Sequence, residues 1–165
     1  MNWGSLASTV LGAVIGIAST LLADRARARR SREEGDQAAR RQLYGDYLAA
    51  LARTRNHLRI AARSADTPAE ERAGAALEAF RDGNAYELRY QVAVVAPESV
   101  VDASTAAFRA LRDLRDLVGG GAVHTEEGYL ELRDRWEDAF GELRAAMRSD
   151  VERGRERGRR PVVRG

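Results

Sequence analysis

Histidine occurs twice in the 165 residues, cysteine not at all, and the 25 acidic side chains are scattered. Acid–base or nucleophilic catalysis needs a His, Cys, Ser or carboxylate held beside a partner that tunes it. Neither His57 nor His124 stands in a Glu-x-x-His or His-Glu-x-x-His spacing, so no metal site is expected. Gly119, Gly120 and Gly121 form the one glycine triplet, which lacks the Lys-Ser/Thr and the preceding strand of a phosphate loop. The acids interleave with Arg at i+3 and i+4, as in Glu131 with Arg135 and Arg109 with Asp113, the pattern of solvated surface pairs. The chain is expected not to be an enzyme and to carry no cofactor. Without cysteine, thiol chemistry and disulfides are excluded.

Arginines are the charges that cluster. All 27 basic residues are Arg, which a GC-rich coding bias explains without invoking guanidinium chemistry. The net charge of +2 hides a segregated pattern. Arg25, Arg27, Arg29, Arg30 and Arg32 crowd one short run. Arg153, Arg155, Arg157, Arg159, Arg160 and Arg164 crowd the C-terminus against Glu156 alone, whereas residues 33–152 hold 16 Arg and 23 acids. The first run is expected to contact anionic headgroups, worth about 1 kcal/mol per Arg near the surface. The second is a candidate polyanion contact, binding through counterion release. It lacks aromatics for base stacking, and the body is acidic, so nucleic acid is the less favoured partner.

The elements that carry these clusters begin with an uncharged stretch over residues 1–23. As a helix, residues 3–23 extend about 32 Å, enough to cross a hydrocarbon core of about 30 Å. A secretory signal would put basic residues before the apolar run and small residues at the cleavage site. Here the charge follows the run, and Leu21 occupies a position where cleavage after Ala23 would need a small residue. The segment is expected to be an anchor. The flanking arginines then orient the N-terminus outside and the bulk of the chain in the cytoplasm, against the anionic inner leaflet. Gly4, Ser8, Gly12, Gly16 and Thr20 recur every four residues and include a GxxxG pair, a face through which two spans can approach as a homo-oligomer.

The body is read as helical. Tyr44, Tyr47, Leu51, Thr54, Leu58, Ala61 and Ala65 are spaced as a packed seam, widened by Leu43, Ala50 and His57. Thr67, Pro68, Ala69 and Glu70 read as a capped helix start, with Ala73, Ala76, Leu77 and Phe80 as its apolar face. Tyr86, Leu88, Tyr90, Val92 and Val94 alternate as a strand would, but no second segment offers a pairing edge. A helix to about Val95, kinked near Gly83, is therefore expected. Pro97 opens the next helix, with Val100, Val101, Ala107, Phe108, Leu111, Leu114, Leu117 and Val118 inward, and the glycine triplet closes it. His124 falls in a loop and Thr125 caps the last helix. That helix has the clearest periodicity: Tyr129, Leu132, Trp136, Phe140, Leu143, Met147 and Val151.

The expected fold is all-α: a transmembrane helix continuing into an antiparallel four-helix bundle. Residues 1–23 form the anchor, 24–37 an Arg-rich juxtamembrane helix, 38–152 the bundle and 153–165 a disordered basic tail. The uncharged segment, its Arg-rich exit, Tyr44-x-x-Tyr47-Leu48, and Tyr86-Glu87-Leu88-Arg89-Tyr90 through Ala96-Pro97-Glu98 resemble a group of uncharacterised actinobacterial proteins with one N-terminal span and a helical body. The resemblance covers residues 3–150. It implies a bacterial cell membrane, and no activity, cofactor or catalytic residue. The expected role is a membrane-anchored binding or scaffold module for a protein partner whose identity the sequence leaves open. A membrane tether for nucleic acid through the C-terminal arginines is the alternative.

Overall fold

A computed structural model describes the backbone of residues 3–63 and 66–159, and the side chains of 31–32, 34–63 and 66–156. The described residues form five helices and no strand: α1 (Trp3–Arg63), α2 (Ala69–Asp82), α3 (Ala85–Val95), α4 (Glu98–Gly119) and α5 (Glu127–Arg159). They pack as a helical bundle. α1 touches all four others, and α4 lies against α5 and α2.

The α1 seam is buried as the spacing predicts, from Tyr44 through Tyr47, Leu51, Thr54 and Leu58 to Ala61. His57, expected to widen that face, is exposed instead, because the buried stripe turns through Arg55 and Ala62. On α4 the broad apolar face is buried as expected; the helix ends at Gly119, and two residues on Gly121 takes a φ of +97°, which suits a residue without a Cβ. On α5, Tyr129, Trp136, Leu143 and Met147 are buried, with Leu132, Phe140 and Val151 packed beside them.

The segment expected to be one kinked helix is broken. Asn84 takes a left-handed conformation (φ 53°) between α2 and α3, a turn that Asn tolerates better than most residues. The inward face of α2 is also rotated from the expected one: Arg72, Ala76 and Ala79 are buried, while Leu77 is exposed. Small residues bring α2 close to α1. At Gly83 a Cβ would stand 2.0 Å from Thr54 Oγ1 and 2.9 Å from the Ala79 carbonyl oxygen, so only glycine fits.

The alternation in α3 resolves into two helical rows. Leu88 and Val92 are one i,i+4 pair and face inward, whereas Tyr86, Tyr90 and Val94 form another row and face solvent. A two-residue alternation thus becomes two opposite helix faces once no strand partner exists.

Helix ends differ in detail from the sequence reading. No side-chain hydrogen bond caps α2; the Pro68 carbonyl accepts from the backbone N–H groups of Glu71 and Arg72. α5 begins at Glu127 instead of just after Thr125, and Glu126 Oε1 accepts from the Val123 N–H at 2.9 Å. Nor does α5 stop at Glu152. It continues to Arg159, because the Arg153 guanidinium donates to Ser149 one turn back and the Gln37 side chain on α1 donates to the Gly154 carbonyl. Cations are also favoured at a helix C-terminus by its dipole. Residues 160–165 of the expected disordered tail lie outside the described residues.

Gly83→Ala is expected to cost about 1–3 kcal/mol in urea unfolding, and Thr54→Ala in the same chain to recover part of it by removing the opposing hydroxyl. Trp136→Ala is expected to cost about 3–5 kcal/mol.

Candidate functional site

Two regions gather groups that could recognise a partner. One is the end of the bundle where α1 enters and α5 leaves. Asp150 on α5 accepts hydrogen bonds from Tyr44 Oη (2.9 Å) and Arg40 Nη1 (3.4 Å) on α1, and Arg153 Nη2 is 4.0 Å from it. Four residues on, the Gly154 carbonyl accepts from Gln37 Nε2 at 2.8 Å. At the opposite end the His124 N–H donates to the Ala62 carbonyl at 3.0 Å. α1 and α5 therefore run antiparallel in a defined register. Burial, reinforced by the Asp150 hydrogen bond and charge, pushes the Tyr44 phenol well above its ordinary value and keeps it a neutral donor. Burial likewise raises Tyr47, whose hydroxyl pairs with Ser104 Oγ at 2.9 Å.

The second region is a cleft of about 440 Å³ between α2, α3 and α4, walled by Phe80, Tyr86, Tyr90 and Phe108 with Arg89, Arg112 and Arg115. The rings interlock edge to face: Phe80 with Phe108 at 5.7 Å and Tyr86 with Tyr90 at 5.0 Å between centroids. Two guanidiniums lie over them, Arg89 5.0 Å above Phe108 and Arg115 4.7 Å above Phe80. Arg89 also donates to Thr105 Oγ1 at 3.3 Å, and Arg115 pairs with its neighbour Asp116. Tyr86 and Tyr90 share a hydroxyl hydrogen bond of 3.0 Å, which raises the Tyr86 pKa. Despite these contacts the two tyrosines are 52% and 55% exposed, and Val94, next in the row, is 83% exposed. No acidic side chain lines the cleft. The cleft is shallow, aromatic and cationic.

The sequence reading missed this cleft. The signal was present in the i,i+4 spacing of Tyr86, Tyr90 and Val94, but their inward or outward direction could not be read. It also missed Arg55, 8% exposed between the rings of Tyr129 (5.8 Å) and Trp136 (5.6 Å). The Arg55 Nε, Tyr129 Oη and Trp136 Nε1 atoms are buried without a hydrogen-bond partner among the described residues. Position 55, four after Leu51 and three before Leu58, was the clue to its burial.

Of the site residues expected from sequence, Gly4, Ser8, Gly12, Gly16 and Thr20 fall on α1, but their side chains lie outside those described. The same holds for Arg25, Arg27, Arg29 and Arg30; Arg32 is exposed. Arg153 and Arg155 are exposed on α5, the side chains of Arg157 and Arg159 lie outside those described, and Arg160 lies beyond the described helix. The surface pairing differs from the expected one: Asp113 is met by Arg135 of α5 at 4.0 Å, and Arg133 lies 4.0 Å from Glu137. His57 is exposed and His124 half-buried, and among the described residues no group of His, Asp and Glu could hold a metal ion. The expected span lies outside the residues whose side chains are described, and among the described residues no helix is long and apolar enough to cross a membrane.

A raised phenol favours the protonated, folded form, so this contribution is intact below the ordinary tyrosine value near 10 and is lost as pH climbs beyond it. Phenolate absorbance is expected to show Tyr44 and Tyr47 titrating only with alkaline unfolding, and Asp150→Ala to release Tyr44 earlier. Scans against protein-family models, curated proteins and solved structures found no match, so function rests on these residues alone.

Proposed function

We propose that this protein is a membrane-anchored binding module: an N-terminal span carries an antiparallel bundle, and the aromatic and arginine cleft docks a protein partner. The observation that carries the docking part is the exposed row Tyr86, Tyr90 and Val94 beside stacked guanidiniums. Exposed aromatics together with Arg are what interface hot spots are made of, because each offers a large planar contact surface that can be desolvated in a packed pocket. Edge-to-face pairing pre-orients the rings, so less ordering remains to be done on binding.

The anchor part is supported by the uncharged stretch to Ala23 and the arginines that follow it. The small-residue stripe supports pairing of two such spans. Its chemistry is that of close backbone approach, so Gly12→Leu with Gly16→Leu would separate the copies in a bilayer.

A photo-crosslinker at Val94 in the full chain is expected to yield a discrete protein adduct that one at Glu142 does not. Arg112→Glu with Tyr90→Ala is expected to abolish that adduct. Adducts that are the same at both positions, or unaffected by the double substitution, would remove the docking reading. Flotation with lipid after an alkaline wash tests the anchor separately.

A further inference from the structure

The outward row of α3 continues past the aromatic cleft. Tyr86 and Tyr90 wall the cleft at one end, and Val94 and Val95 wall a second groove of about 440 Å³ at the other, against Asp36, Ala39, Arg40 and Leu43 of α1. From Tyr86 to Val94 the helix advances about 12 Å, since each residue adds about 1.5 Å. One elongated surface therefore carries two sites of different chemistry, joined by exposed side chains.

The two ends differ in charge. Of the three cleft arginines, Arg115 is paired with Asp116, and Arg89 bonds to the Thr105 hydroxyl and lies over the Phe108 ring. Neither Arg89 nor Arg112 has a carboxylate partner among the described residues, and Arg112 is exposed. In the second groove Arg40 is paired with Asp150, and Asp36 adds a negative charge beside Leu43, Val94 and Val95. Unmatched positive charge is thus at the cleft end of the row, on a body whose residues 33–152 hold 23 acids against 16 Arg.

We propose that this surface docks an acidic amphipathic helix of a protein partner, with carboxylates at Arg89 and Arg112 and apolar side chains on Leu43, Val94 and Val95. The proposal deepens the docking reading above and rests on it. A helix laid along α3 has the same rise, so its acids stand about two turns from its apolar residues. Arg89 is held over a ring, which leaves little ordering to be done when a carboxylate arrives. The acidic remainder of the body repels the same carboxylates, so charge fixes the direction of the docked helix as well as its place. A single-stranded nucleic acid would also stack on rings beside arginines, but its phosphates would continue past Asp36, where Arg40 is already paired.

The test uses the full chain in phosphatidylcholine nanodiscs and a fluorescent helical peptide. The peptide has two glutamates on one turn and two leucines two turns further along the same face. Fluorescence anisotropy is expected to show it binding roughly tenfold tighter than its glutamine counterpart, with the difference shrinking in high salt. Arg112→Glu is expected to reverse the order, so that a lysine version binds best; a gain in affinity cannot come from loss of the fold. Val94→Asp is expected to weaken every version about tenfold by charging the apolar end. Equal affinity for the glutamate and glutamine peptides, indifference to either substitution, or an oligodeoxythymidine that outcompetes the peptide overturns the proposal. So does a crosslinked adduct at Val94 of twice the chain's own mass, which makes a second copy the occupant. An adduct with another protein, without any charge preference among the peptides, keeps the docking reading and removes this one. Loss of adduct and peptide binding together removes both.

Discussion

Asp150 is half-buried where the last helix meets the first, and the alignment of the two depends on it. A carboxylate in that position needs donors, and it finds a neutral phenol and a guanidinium on α1. Sliding α5 by one turn would withdraw both and leave the carboxylate only Arg153 of its own helix. The Gln37 to Gly154 bond and the His124 to Ala62 bond, nearer the two ends of α5, agree with the same register. The course of α5 beyond Glu152 follows from it.

The other side of α1 is governed by size. Thr54, fully buried, bonds back to the Ala50 carbonyl and presses against Gly83, so α2 must end there without a side chain in the way. Asn84 absorbs the turn, and α3 starts with its own inward face. Because that face consists of Ala85, Leu88 and Val92, the alternate residues of the segment are turned outward. Tyr86 reaches Phe108 and Tyr90, but neither tyrosine is covered. The cleft is thus a by-product of the helix break that Gly83 and Asn84 permit.

A coding bias accounts for the supply of arginine, yet the fold uses the planar guanidinium in three distinct ways. Arg72, nearly buried, donates to the Thr67 and Gly121 carbonyls and ties the loop after α1 to the loop after α4. Arg55 is held between two aromatic rings inside the α1 and α5 contact. Arg89 and Arg115 lie on aromatic faces at the surface, where each such contact contributes about 0.5–1 kcal/mol. Lysine, a point charge on a flexible stem, would reproduce none of these with the same geometry.

Periodicity by itself determined the all-helical class, the seam of α1, the apolar face of α4, the glycine stop after it and the aromatic stripe of α5. Each depends on spacing within one helix, and spacing is local. What only the tertiary structure decided depends on distance between helices. The rotation of α2 about Ala76 and Ala79, the exposure of His57, the outward row on α3 and the burial of Arg55 are set by which neighbour lies on which side. The meeting of the start of the described α1 side chains with the end of α5 is of the same kind. Gln37 and Gly154, like Tyr44 and Asp150, are more than a hundred residues apart in sequence, and only an antiparallel return of α5 along α1 brings them together.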